Sequence, residues 1–272
     1  MRRAPAVICL LSLLALPVLS WGQAAPAATQ TPAAAPPGAP GAPAPGGPGQ
    51  GRGRGGRGGF GGPALPANQP AAPRNEARHQ TFVEIARKGD IDLLFVGDSI
   101  TDWWAKSGLD TWNANFAPLK PANFGIAGDT TQGVLWRMQN GELEGFKAKL
   151  IVLMLGTNNI NRNPVDEIVD GNRLIVEEFK KRQPQAKVLV LGVFPRGAAA
   201  DNPFRATIRE MNEKLAKLAD NRQVFFKDIG AKFLEPDGSM STEVMPDGLH
   251  PSTKGYQIWA DAIRDDVKRL MQ

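Results

Sequence analysis

Five short apolar runs constrain this chain more than any other feature: Asp92 to Val96, Ala122 to Ile126, Leu150 to Leu155, Val188 to Phe194 and Val224 to Phe226. Runs of this length, bounded by glycine or turn residues, read as strands covered on both faces. Between them lie helix-like stretches, roughly Thr131 to Asn140, Val165 to Arg182 and Phe204 to Ala219. A last segment sets Tyr256, Trp259, Ile263, Val267 and Leu270 three or four residues apart, an apolar stripe on one helix face. Another helix, about Asn75 to Lys88, precedes the first strand and is expected outside it. Alternating strand and helix predicts a parallel sheet with helices on both sides. Right-handed crossovers then give an α/β, three-layer, flavodoxin-like domain with a five-stranded parallel sheet, spanning residues 74–272.

The chain before Arg74 has a different character. Met1-Arg2-Arg3, an apolar stretch from Ala6 to Leu19 and small residues around Gly22 to Ala25 have the form of a secretory signal peptide, expected over residues 1–24. The apolar stretch is short for a membrane span. Export, to the periplasm or out of the cell, is the expectation. The single cysteine, Cys9, lies inside that stretch, so the processed chain would contain no thiol. A cysteine nucleophile and a cysteine metal site are thereby excluded. Residues 25–73 hold 12 prolines and 13 glycines, too little apolar surface to fold, and are expected to form a disordered linker. Its Arg52, Arg54 and Arg57, with one aromatic at Phe60, suit a flexible spacer touching an anionic envelope surface better than a binder of single-stranded nucleic acid. With Arg2 and Arg3, these are the only charged residues before Arg74. The formal net charge of +5 therefore leaves 27 basic against 27 acidic residues in the folded part, which offers no basic face for nucleic acid.

Candidate chemistry collects where strands are predicted to end. The first apolar run stops at Gly97, and Asp98 and Ser99 follow. Either residue would serve as the cap of a following helix; Ser99 would also stand at the carboxyl rim, where open α/β sheets bind their ligands. Gly125-Ile126-Ala127-Gly128-Asp129 follows the second run and Gly156-Thr157-Asn158-Asn159 the third. Glycine, asparagine and aspartate are ordinary turn residues, yet three such loops at one rim suggest a pocket lined with hydrogen-bond donors. The chain has two histidines. His79, in a polar helix, is read as a surface residue. His250 follows Asp247 by three residues, close enough for the carboxylate to fix its tautomer and leave the other ring nitrogen as a base. Ser99 as nucleophile, His250 as base and Asp247 as its orienting partner make a complete acyl-transfer set. The N–H groups of Ser99 and Gly128 and the side-chain amide of Asn158 would bind the oxyanion. No cofactor is called for, and His250 has no second histidine near it in sequence for a zinc site.

The blocks GDSI at Gly97 to Ile100, Gly128, GTNN at Gly156 to Asn159 and DGLH at Asp247 to His250 resemble the SGNH/GDSL hydrolase family. Within it, NFGIAGDTTQGVLWRMQNGEL from Asn123, RQPQAK from Arg182 and FPRG from Phe194 are similar to the catalytic subunits of platelet-activating-factor acetylhydrolase. The likeness covers about Phe82 to Gln272. It implies the flavodoxin-like fold and metal-independent ester hydrolysis through an acyl-serine, with Ser99, Gly128, Asn158, Asp247 and His250 in the roles above. Ile100 stands for the usual leucine and Ala127 for a glycine. The acetylhydrolase subunits are intracellular, so the leader and tail are the larger departure. An α/β-hydrolase is rejected, because its elbow requires G-x-S-x-G and Thr101 occupies the last position.

Short acyl esters, acetyl first, are the expected substrates, with O-acetylated polysaccharide preferred on the strength of the export signal. A lysophospholipase or acetylhydrolase acting on lipid, and a binding module holding a glycan without catalysis, are the alternatives. Trp103, Trp104, Trp112 and Trp136 are candidates for a pocket wall or for core, and Arg196 is read as solvated or structural. The sequence sets no oligomeric state.

Overall fold

The strands form where the apolar runs predict them: β1 Leu93–Gly97, β2 Pro121–Gly125, β3 Leu150–Met154, β4 Lys187–Leu191 and β5 Val224–Lys227. In the computed structural model, which describes residues 64–73 and 75–272, they pair in parallel in the order β2-β1-β3-β4-β5. The expected signal peptide, and the expected linker as far as Pro63, lie outside the described residues. Successive side chains of a strand point to opposite faces, and each face has its own core. Leu94, Val96, Ile151 and Leu153 pack with Phe82, Phe124, Val134, Ile175 and Phe179. That layer is supplied by α1 Glu76–Arg87, α4 Thr131–Gln139 and α5 Val165–Arg182. Leu93, Phe95, Leu150 and Val152 pack on the other face with Trp104, Phe116, Tyr256, Trp259 and Ile263. Helix α7, Thr253–Leu270, provides most of this second layer. The fold is the three-layer α/β arrangement expected from the sequence.

Two short helices, α2 Ser99–Asp102 and α3 Leu109–Asn115, escape the periodicity reading because neither is long enough to show an apolar stripe. The helix expected from Phe204 to Ala219 is α6, Phe204–Leu215, closed by a 3₁₀ turn.

The linker expected to run through Pro73 ends sooner. Residues 64–73 form a strap across α4 and α5, with no regular structure of their own. The Ala67 carbonyl accepts from the Thr131 hydroxyl at 2.7 Å, and its N–H donates to Glu167 at 3.2 Å. The Leu65 carbonyl accepts from the side-chain amides of Gln132 and Asn163, at 2.8 and 3.0 Å. Ala67 is fully buried with Ile168, Ile208 and Met211. Composition misleads here because a proline-rich strand needs no secondary structure once side chains of the domain satisfy its backbone.

From β1, Phe95 enters the second core against Trp112, Phe116, Trp104 and Trp259 at ring separations of 4.9, 5.2, 6.3 and 6.4 Å. Phe95→Ala is expected to cost about 3–5 kcal/mol, read as a lower urea midpoint at unchanged slope; a loss under about 1 kcal/mol would show that this cluster closes over the cavity.

Candidate active site

At the carboxyl end of β1 the backbone must turn within one residue. A Cβ on Gly97 would lie 2.2 Å from Thr101 Oγ1 and 2.6 Å from the Met154 carbonyl oxygen, so only glycine fits. Asp98 then caps α2, its Oδ1 accepting from the Ile100 N–H at 3.0 Å. The two readings of this stretch therefore fall on different residues: Asp98 is the cap, and the Ser99 side chain is left for other work. Asn123 on β2 holds the far end of α2 by donating to the Thr101 carbonyl at 2.8 Å. From α7, the buried Tyr256 hydroxyl donates to the Ile100 carbonyl at 2.7 Å. Burial pushes the Tyr256 phenol up, keeping it a donor.

Ser99 Oγ lies 2.8 Å from His250 Nε2, and His250 Nδ1 lies 2.6 Å from Asp247 Oδ2. The other Asp247 oxygen accepts from the backbone N–H groups of His250 and Leu249 at 2.7 and 3.0 Å. Partial burial raises the Asp247 carboxyl, but these bonds outweigh it and hold it below the usual range. A carboxylate so held accepts a hydrogen bond from Nδ1–H, keeping the proton on that nitrogen and presenting the Nε2 lone pair to the hydroxyl. The chain reverses at Gly248, whose φ of +69° suits glycine. The Gly248 carbonyl accepts from the Gly197 N–H at 2.8 Å, which moors this loop to the one after β4. Arg205 fixes that second loop, donating to the Arg196 and Gly197 carbonyls at 2.9 and 2.7 Å.

Trp103 stacks on His250, ring centroids 4.1 Å apart and planes at 21°. An indole face against an imidazole limits ring rotation and so holds Nε2 toward Ser99. Sequence reasoning left Trp103 open. Its position four residues after Ser99, about one helical turn on and just past the end of α2, was the available signal. Trp104 and Trp112 belong to the core, and Trp136 is half-buried with an edge on His79. Arg196 has a structural place, its guanidinium 4.5 Å from the centre of the Phe204 ring.

Gly128 and Asn158 leave the ends of β2 and β3 at the same rim. Gly128 has a φ of +78°, the left-handed backbone that glycine adopts freely. Asn158 donates to the Asp129 carbonyl at 2.8 Å, so one of its two amide protons is spent on holding the two loops together. His79, expected on the surface, is 2% exposed and bonded through Nδ1 to Glu142 at 2.8 Å. Its partner lies 63 residues away, so no local pattern could reveal it. Asp98 Oδ2 is buried without a hydrogen-bond partner among the described residues. Burial, helped by the charge of Asp129 and opposed by the Ile100 N–H, pushes the Asp98 carboxyl up to about 7.

A model of the GDSL-like lipase/acylhydrolase family matches residues 95–258. The platelet-activating factor acetylhydrolase IB subunit alpha2 of Rattus norvegicus is 39% identical over 200 residues, 72% of this chain and 84% of that protein. The alpha1 subunit of Homo sapiens is 38% identical over 194 residues, 71% and 82% of the two chains. Among solved structures, a GDSL-like lipase from Bacteroides thetaiotaomicron superposes with a TM-score of 0.59 at 20% identity, covering 72% of this chain and 98% of its own. A catalytic mutant of an acetylxylan esterase from Geobacillus stearothermophilus gives 0.54 at 21%, covering 66% and 94%. At such identities the structures speak to the fold alone. The curated relatives also correct one expectation: they are subunits of an intracellular acetylhydrolase, which overturns the export read from the first residues.

Asp98 supplies a test of the site's electrostatics. Its folded pKa of about 7 stands above the unfolded 3.8, so the folded state keeps a proton that the unfolded state releases. The stability this gives is complete below 3.8 and is lost as pH rises through about 7. Asp98→Asn keeps the capping oxygen and removes the titration. The variant is expected to melt higher than the parent at pH 8, and the advantage to shrink as pH falls through about 7 and to vanish only below 3.8; an equal melting difference at pH 8 and at pH 5 would disprove the assignment.

Proposed function

Because this chain belongs to the GDSL-like lipase/acylhydrolase family and is a carboxylic ester hydrolase, we propose that it cleaves short-chain, acetyl-type esters through an acyl-serine on Ser99. The observation that carries this reading is the unbroken run of bonds from Ser99 Oγ to His250 and on to Asp247, 2.8 and 2.6 Å long. Ser99 Oγ attacks the acyl carbon as its proton passes to His250 Nε2. Charge gathers on the former carbonyl oxygen, where the Ser99 and Gly128 N–H groups and the free amide proton of Asn158 receive it. Collapse breaks the ester bond, and the departing alcohol takes the proton from His250. Water then repeats the sequence on the acyl-enzyme, returning the serine and releasing the acid. Asp247 stays ionised throughout and steadies the imidazolium.

The acetyl preference is supported by the relatives, which are named as acetylhydrolases and are 38–39% identical to this chain. The preference for a polysaccharide carrier rested on export and goes with it. A lipid alcohol, as in platelet-activating factor, is the better-supported leaving group, since the relatives that match over most of their length bear that name.

With p-nitrophenyl esters, turnover is expected to fall steadily from acetate through butyrate to octanoate. Ser99→Ala should lose at least ~10³-fold and resist labelling by a fluorophosphonate that labels the parent. Substantial acetate turnover by the alanine variant would remove Ser99 from the reaction.

A further inference from the structure

Behind the rim lies a buried chain of ionisable side chains that touches neither Ser99 nor His250. Asp129, next to Gly128, is 3% exposed, and its Oδ2 accepts from Arg137 Nε at 2.9 Å. Arg137 is fully buried on α4. It also donates to the Phe124 carbonyl on β2 at 3.1 Å and pairs with Glu142. Glu142, fully buried as well, meets His79 of α1. Removing such charges from water costs several kcal/mol per ion before pairing returns any of it, and apolar side chains of the same volume often pack as stably. Stability alone therefore gives little reason for this arrangement.

Its geometry gives a better one. Asp129 is held by its carboxylate to Arg137 and by its carbonyl to Asn158, so a single residue joins the Gly128 loop to the Asn158 loop. Its other carboxylate oxygen accepts from the Thr130 N–H at 3.0 Å. A Cβ on Gly133 would stand 2.0 Å from that oxygen, which shows how closely α4 encloses the carboxylate. The anchor of the chain, His79, lies before residues 95–258, the part that matches the family model.

We propose that Arg137, braced by Glu142 and His79, is a positioning residue: acting through Asp129, it sets the distance and angle between the Gly128 N–H and the Asn158 amide, and so the fit of the oxyanion site. This rests on the ester-hydrolysis reading given above. Displacing a preorganised group by about 1 Å can cost ~10²-fold in rate, so a brace that touches no substrate can still govern turnover.

The test is a double-mutant cycle in the full chain, with p-nitrophenyl acetate as substrate. Arg137→Met is expected to lower kcat about 10–10²-fold with KM changed less than about threefold, and Arg137→Lys to recover part of the loss. In an Asn158→Ala background the same Arg137→Met change should cost far less, because the amide it positions is gone. Full additivity of the two changes, or a loss confined to KM, would overturn the proposal. Should Arg137→Met fail to fold, Glu142→Gln takes its place in the cycle under the same criterion. Failure of the underlying reading is distinct: there, Ser99→Ala would stay active, whereas a dead Ser99→Ala beside an additive cycle refutes the brace alone.

Discussion

Parallel pairing on both sides of β1 is what brings the chemistry to one place. Gly97 stands level with Gly125 of β2 and Met154 of β3 across the ladder. The three chains thus leave the sheet at one height, and the residues that follow must share one rim. Because β2 and β3 flank β1, the chain reverses its direction of travel across the sheet here, the place where open α/β sheets leave a crevice. His250 comes from the opposite end of the sequence, 151 residues beyond Ser99. It arrives because α7 is packed over β1 by Trp259 and Tyr256, and Gly248 is tied to Gly197.

Polar groups at this rim are unusually dry for their charge. Asp98 is fully buried and Asp129 nearly so, and burial pushes both carboxyls up. They are treated differently: Asp129 has an arginine, while Asp98 has one N–H on one oxygen and nothing on the other among the described residues. The serine beside Asp98 therefore sees less negative charge at neutral pH than a fully ionised neighbour would present. His250, by contrast, has an ionised partner at the protein surface, where a carboxylate retains its charge without such cost.

The strands and the meeting of Asp247 with His250 were legible because each leaves a local trace: a doubly buried strand is an apolar run, and Asp247 and His250 share one turn. Elements whose logic is not local were missed. His79 looks polar in its own helix because Glu142 is out of view in sequence. The strap looks like tail because its bonds are made to carbonyls by side chains of other elements, and composition does not record them. The leader suggested export by its pattern alone, and the relatives run against that. Trp103 was noticed yet could not be placed, since stacking on His250 exists only once both ends of the chain have met.

The strap has a consequence for where this protein can be cut. A version trimmed to the family-matched segment, or begun at Arg74, would strip acceptors from the Thr131 hydroxyl and from the Gln132 and Asn163 amides, all buried. The same three residues meet Asn159, the residue after Asn158, directly: the Thr131 N–H donates to Asn159 Oδ1, and Asn159 Nδ2 donates to Gln132 Oε1 and Asn163 Oδ1. Ten residues that look dispensable to anyone drawing a boundary by composition are, by their bonding, the outer support of the loop that carries Asn158.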